Sequence, residues 1–207
     1  MKIQLLAFLA LTLSFSITSH ADTTCYIKVH FLYGSKPKKE FKETEDKWFG
    51  GIHGGHVGIE TDSNHIIDFI PFGEFHIFSK DSTRHSRFAR HSCSDFWHCM
   101  GSDSNKVERM TIVIPVNAKQ KLLLDSLANA YTAHTPYDYA FFGMRCAAAA
   151  YDVLAKIGVM KQHSEKGTWQ RNFYPKRFRH HLVKRARKEG WTIVKHKGCD
   201  SRIWERD

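Results

Sequence analysis

Beyond its first twenty residues the sequence has no long apolar run, so no later segment offers a bilayer span. Prolines number only five, and charged residues make up 25% of the chain against 42% hydrophobic ones, a balance that argues against disorder. No fixed period recurs, which removes collagen, coiled-coil and repeat architectures. Acidic residues are few: 21 Asp and Glu face 31 Lys and Arg, for a formal charge of +10. At 207 residues and 13% aromatics the chain holds enough apolar material for one core and too little length for two typical domains.

The amino terminus reads as a leader. Lys2 gives a positive start, Leu5 to Thr18 is apolar apart from hydroxyl residues, and Ser19-His20-Ala21 offers a small-x-small cleavage site. Residues 1–21 are therefore expected to be a signal peptide and 22–207 a single mature domain, exported to the periplasm or beyond. No cysteine stands at the cleavage point, which argues against a lipoprotein. The basic excess survives cleavage, because the leader carries only Lys2. Much of it lies between Tyr174 and Lys197, in Lys176, Arg177, Arg179, Lys184, Arg185, Arg187 and Lys188. At helical spacing Phe178, Leu182 and Val183 turn inward and the basic groups face water, as a solvated face or as a surface for an anionic partner. Cell-wall polymer and lipid headgroups fit such a surface. No nucleic-acid motif accompanies the charge, so no nucleic-acid partner is expected.

Export permits disulfides, and five cysteines follow the leader: Cys25, Cys93, Cys99, Cys146 and Cys199. An odd count leaves one thiol over. Cys93 and Cys99 flank a short polar loop and suit a local pair, and Cys25 and Cys199 lie near the two mature ends, leaving Cys146; spacing alone does not fix the connectivity.

The pattern of elements indicates an α+β fold with an antiparallel sheet packed against helices. Thr24–Tyr33 reads as a first strand and 34–46 as a loop. Gly54–Pro71 reads as a hairpin turning at Thr61–Asn64, and Gly73–Ser79 as a further strand. Residues 81–105 read as a polar insertion, and Val107–Val116 as a buried strand. Asn117 looks like the cap of a helix reaching Ala133, with Leu122, Leu123, Leu127 and Tyr131 on one face. A second helix spans Cys146–Ile157 and is ended by Gly158. The basic helix and a strand at Trp191–Lys195 complete the order.

The segment with most chemistry is Gly143-Met144-Arg145-Cys146 followed by Ala147 to Ala150. A cysteine in the first turn of a helix sits at the positive end of the macrodipole, which favours its thiolate. Its N–H can also donate to a developing oxyanion. On that feature alone a buried structural cysteine is the competing reading. A nucleophilic thiol needs a base oriented by a third group. His56 and Asp68, near-opposite across the hairpin, supply both, and a carboxylate inside the apolar run Ile66, Ile67, Phe69, Ile70 requires such a partner. Tyr137 and Tyr139 suit the lining of a substrate cleft or the core. No metal or other cofactor is expected: His53-x-x-His56 with His65, or His91 with His98, offers zinc ligands, but the motif lacks the glutamate and helix of H-E-x-x-H.

HVGIETDSNHIIDFIP, followed by PYDYAFFGMRCAAAAYDVLAKIGV, resembles the circularly permuted NlpC/P60 papain-like hydrolases, which include the YaeF/YiiX-type amidases and the lecithin-retinol-acyltransferase-like enzymes. The permuted order, histidine before cysteine, is the order here. The resemblance implies a papain-like fold with His56, Asp68 and Cys146 as a catalytic triad. It covers 53–71 and 135–159; the third residue is an aspartate where the acyltransferases use histidine, and alanine follows the cysteine where serine or glutamate is usual. It implies an amidase acting on peptidoglycan stem peptides, with lipid esters or amides as the alternative substrate. A basic module that binds anionic envelope polymer without catalysis is the non-enzymatic alternative.

Overall fold

The computed structural model describes residues 24–44, 55–98 and 106–207. Its centre is β1 (Cys25–Leu32), where alternation puts Ile27, Val29 and Phe31 on one face, each at most 1% exposed. β3 (His56–Asp62) and β7 (Arg109–Val116) flank β1. Outside them lie β4 (His65–Pro71) and β6 (Ser86–Ser92) on one side and β9 (Thr192–His196) on the other. The sheet order is β6-β4-β3-β1-β7-β9, and every neighbouring pair is antiparallel. Two short pairs complete the strands: β2 (Ser35–Pro37) with β10 (Arg202–Trp204), and β5 (His76–Phe78) parallel to β8 (Ala140–Phe142). The architecture is mixed α+β with an antiparallel sheet and five helices among the described residues, as the element pattern indicates.

One face of the sheet is covered by three helices: α2 (Ala118–Ala133), α3 (Cys146–Lys156) and α5 (Pro175–Glu189). The Ala147–Ala150 run of α3 is buried, and its small side chains let the helix backbone approach β3 and β4 closely. The opposite face carries α1 (Cys93–His98) and a smaller cluster of Leu32, Ile66, Phe96 and Val107. α4 (Glu165–Arg171) packs on α3.

The helix ends follow local chemistry. Asn117 accepts from the Gln120 N–H while Gln120 returns a bond to the Asn117 N–H, a complete capping box. α5 stops at Gly190, whose φ of 71° is the left-handed conformation suited to a C-terminal cap.

Several sequence expectations change. α2 buries Leu124, Ala128 and Tyr131, whereas Leu122 is 69% and Leu123 41% exposed. Tyr131 is buried and Leu127 packs on the core as expected, but the stripe facing the sheet runs through Leu124 and the small Ala128 rather than Leu122 and Leu123. Residues 34–46 contain β2 and a 3₁₀ turn at Lys39–Phe41, because β2 is created by pairing with β10 near the far end of the chain. The polar insertion is partly sheet: β6 is an edge strand hydrogen-bonded along the whole of β4. Arg179, expected to face water, is 1% exposed; it pairs with Glu205 Oε1 at 2.7 Å and Asp207 Oδ1 at 3.0 Å and stacks over Tyr33 at 3.7 Å.

Cys25 and Cys199 do not bond; both are free. Cys25 lies opposite Val116, while the Cys199 N–H donates to the Lys106 carbonyl beyond the other end of β7. Those ends are separated by about 23 Å of strand, seven rises of roughly 3.3 Å. Cys99 lies outside the described residues, and with it the Cys93–Cys99 pairing. The leader also lies outside them. No described helix is long and apolar enough to cross a membrane.

Candidate active site

Gly55 introduces His56 with a φ of 83°, and a Cβ there would stand 2.1 Å from the Leu32 carbonyl oxygen. Only glycine lets the chain pass so close to the end of β1. β3 then runs beside β4 with Gly58 opposite Asp68, which sets His56 and Asp68 diagonally on one face. His56 Nε2 lies 2.5 Å from Asp68 Oδ2, and both side chains are buried. With Nε2 engaged, Nδ1 is the nitrogen left for the thiol.

Cys146 is the first residue of α3, after Arg145 in extended conformation at the cap. It is 4% exposed and lies beside His56. Burial opposes the thiolate, but His56, Arg145 and the Ala147 N–H outweigh it and hold the thiol below its ordinary value. Burial likewise opposes the imidazolium, and is overcome by Cys146 and Asp68, so His56 is held well above the ordinary imidazole value. Asp68 is pulled below the usual carboxylate range, its burial outweighed by His56 and His91. These directions favour proton transfer from the thiol to the imidazole, with a carboxylate behind it, an arrangement suited to nucleophilic attack and proton return.

Three further residues complete the surroundings. His91, on β6, lies 3.2 Å from Asp68 Oδ1 by Nε2, an ion-pair contact, and that carboxylate raises it above its ordinary value despite partial burial. Nothing in the sequence singled it out in this position, because the β4–β6 register brings it there. Arg145 is boxed by Phe173 at 4.0 Å, Phe141 at 5.3 Å and Tyr174 at 5.4 Å, and donates to the Phe173 carbonyl. Its place next to the thiol was legible; its aromatic cage, drawn from a distant segment, was not.

The two tyrosines separate. Tyr139 is half-buried, with its phenol beside Cys146. Burial and the neighbouring thiol hold its phenol protonated. Tyr137, for which cleft and core both stood open, belongs to the core: its hydroxyl donates to Asp152, accepts from Lys156 at 3.0 Å, and its ring packs on Phe69, Phe88 and Tyr131.

None of the histidine sets that suggested zinc comes together among the described residues. His53 lies outside them, His56 and His91 both turn to Asp68, His65 bonds Asp62, and His98 bonds the Ser94 carbonyl. Comparison with protein-family models, curated proteins and solved structures returned no match.

Proposed function

We propose that this chain is an exported cysteine hydrolase that cleaves an amide bond through Cys146, His56 and Asp68, with the stem peptides of peptidoglycan as the favoured substrate. The observation that carries this reading is the mutual shift of Cys146 and His56 at the start of α3, with Asp68 on the far nitrogen of the imidazole. The Cys146 Sγ thiolate attacks the carbonyl carbon, and the Cys146 N–H, with the Tyr139 O–H beside it, donates to the developing oxyanion. His56 Nδ1–H protonates the leaving amine as the C–N bond breaks, giving a thioester and neutral His56. His56 then accepts a proton from water, whose oxygen attacks the thioester, and the acid product leaves as the thiol is restored.

A second reading, a lipid acyl hydrolase or acyltransferase on the same triad, is favoured by an apolar ridge beside Tyr139. Phe75, Phe78 and Phe142 are 48%, 67% and 42% exposed, and Phe75 lies 6.0 Å from the Tyr139 ring. The amidase is preferred because the family that residues 53–71 and 135–159 resemble includes amidases, while the cationic surface suits wall polymer and lipid headgroups alike.

The test incubates the mature chain with stem tetrapeptides and, separately, with phospholipid and N-acyl amide vesicles, and identifies products by mass spectrometry. Peptide cleavage that disappears in folded Cys146→Ala is the expected result. Release of fatty acid alone would replace the amidase with the lipid reading. Turnover that survives in Cys146→Ala would overturn both.

A further inference from the structure

Outside the triad, Glu74, His76 and His85 converge at the mouth of the loop joining β4 to β6, their ligating atoms within 4.8 Å of one another. His76 is the informative member. It is 4% exposed, and its Nδ1 lies 2.7 Å from Asp138 Oδ2. Asp138 is also buried and accepts from the Lys80 N–H at 2.9 Å and the Ser86 hydroxyl at 3.0 Å. A carboxylate so supplied with donors is an acceptor, so the imidazole proton resides on Nδ1 and the lone pair on Nε2. That Nε2 is buried with no hydrogen-bond partner, 3.7 Å from Glu74 Oε2. A buried nitrogen lone pair left idle is costly, and a carboxylate behind the other nitrogen is the arrangement that orients a metal-binding histidine.

We propose that Glu74, His76 and His85 bind a zinc ion, with Asp138 as the outer support of His76. Two imidazoles and a carboxylate are a donor set that zinc takes with water in the fourth position. Tetrahedral bonds of about 2.0–2.2 Å place ligand atoms about 3.3–3.5 Å apart, so the cluster needs to contract by about 1.5 Å at most. The moves are available. Glu74 is exposed and held only by Lys80 at 3.5 Å, a weak surface pair. His85 is half-buried, and its Nδ1 accepts from the Glu74 N–H at 3.1 Å; turning the ring exchanges that bond for the ion.

The site would act on the cleft. The Ser86 hydroxyl that donates to Asp138 accepts from the Tyr139 N–H at 2.6 Å, and β5, which carries His76, pairs with β8 immediately after Tyr139. Zinc would fasten the 72–86 loop to the strand that presents Tyr139 to Cys146. This placement does not depend on the chemistry performed at Cys146.

The experiment uses the full mature protein, stripped with chelator and titrated with Zn²⁺ against a chromophoric competitor, and with Co²⁺ to read coordination from its visible spectrum. One ion per chain and a four-coordinate cobalt spectrum are expected. Glu74→Gln and His85→Ala, at exposed or half-buried positions that do not endanger the fold, should each weaken zinc at least tenfold. Asp138→Asn should weaken it 10–100-fold, as for other outer-shell partners. Absence of stoichiometric binding by the folded protein would overturn the site. So would binding that persists in Glu74→Gln and His85→Ala but is lost in Cys146→Ala, since the ion would then sit on the triad.

Discussion

Replacing His56 with alanine should raise the pKa of Cys146 past that of an ordinary thiol. The buried sulfur is held below its ordinary 9.0 chiefly by His56, against an opposing burial contribution. Without the imidazole, burial dominates and the value moves above 9.0. At pH 7 a thiol with that value is about 1% ionised, and each unit by which the wild-type thiol lies below it raises the thiolate fraction about tenfold, or about 1.36 kcal/mol. A thiolate of low basicity is also a weaker nucleophile. With a Brønsted slope near 0.5, about threefold of each tenfold is returned, leaving alkylation at pH 7 about threefold slower in His56→Ala for each unit of separation. The assay is a limiting iodoacetamide pulse between pH 5.5 and 8.5, followed by peptide mapping so that Cys146 is read apart from the other cysteines. The shape of the profile is the stricter readout: the wild-type rate should persist to lower pH than the variant rate, which should climb about tenfold per unit. A Cys146 inert at every pH, or an identical profile in His56→Ala, would refute the thiolate–imidazolium pair.

The same geometry fixes other outcomes. Asp68→Asn should cost about 1.5–3 kcal/mol, the worth of hydrogen bonds to a buried charge. Asp68 is depressed below 3.8, so its contribution is present above that value and lost as pH falls through its folded value; His56 is raised above 6.5, so its contribution is complete below that value and lost as pH rises through its folded value. Urea denaturation should therefore show the widest gap between wild type and Asp68→Asn from about pH 3.8 to 6.5, and a gap independent of pH would contradict the pairing. Gly58→Ala drives a Cβ to 2.5 Å from Ile66 Cγ2 and 2.6 Å from Phe96 Cε2, and should lower stability by about 1–3 kcal/mol in thermal melts. An unchanged melting temperature would mean that α1 does not pack on β3 as described. Arg179→Ala leaves Glu205 buried without its partner and should cost about 3–5 kcal/mol; a loss under about 1 kcal/mol would show the pair to be solvated.

Much of this molecule was legible from short-range pattern. Alternation in Cys25–Leu32 and Arg109–Val116, the Asn117 cap, the hairpin around Ser63–Asn64 and the cysteine opening an alanine-rich helix each depend on neighbours within a few residues. Asp68 announced itself by being a carboxylate in an apolar strand, and hairpin geometry put His56 within reach. Register across the sheet was not legible in that way. It brought His91 to the second oxygen of Asp68 and His76 onto Asp138, and it set Cys25 and Cys199 at opposite ends of β7. Burial of Arg179 went against side-chain character because Glu205, far along the chain, pairs with it, and exposure of Leu122 because α2 turns Leu124 and Ala128 to the core instead. Local periodicity determines which elements form and which face of each is apolar. Which distant groups then meet is set by how the elements pair and pack, and only the tertiary structure decided that.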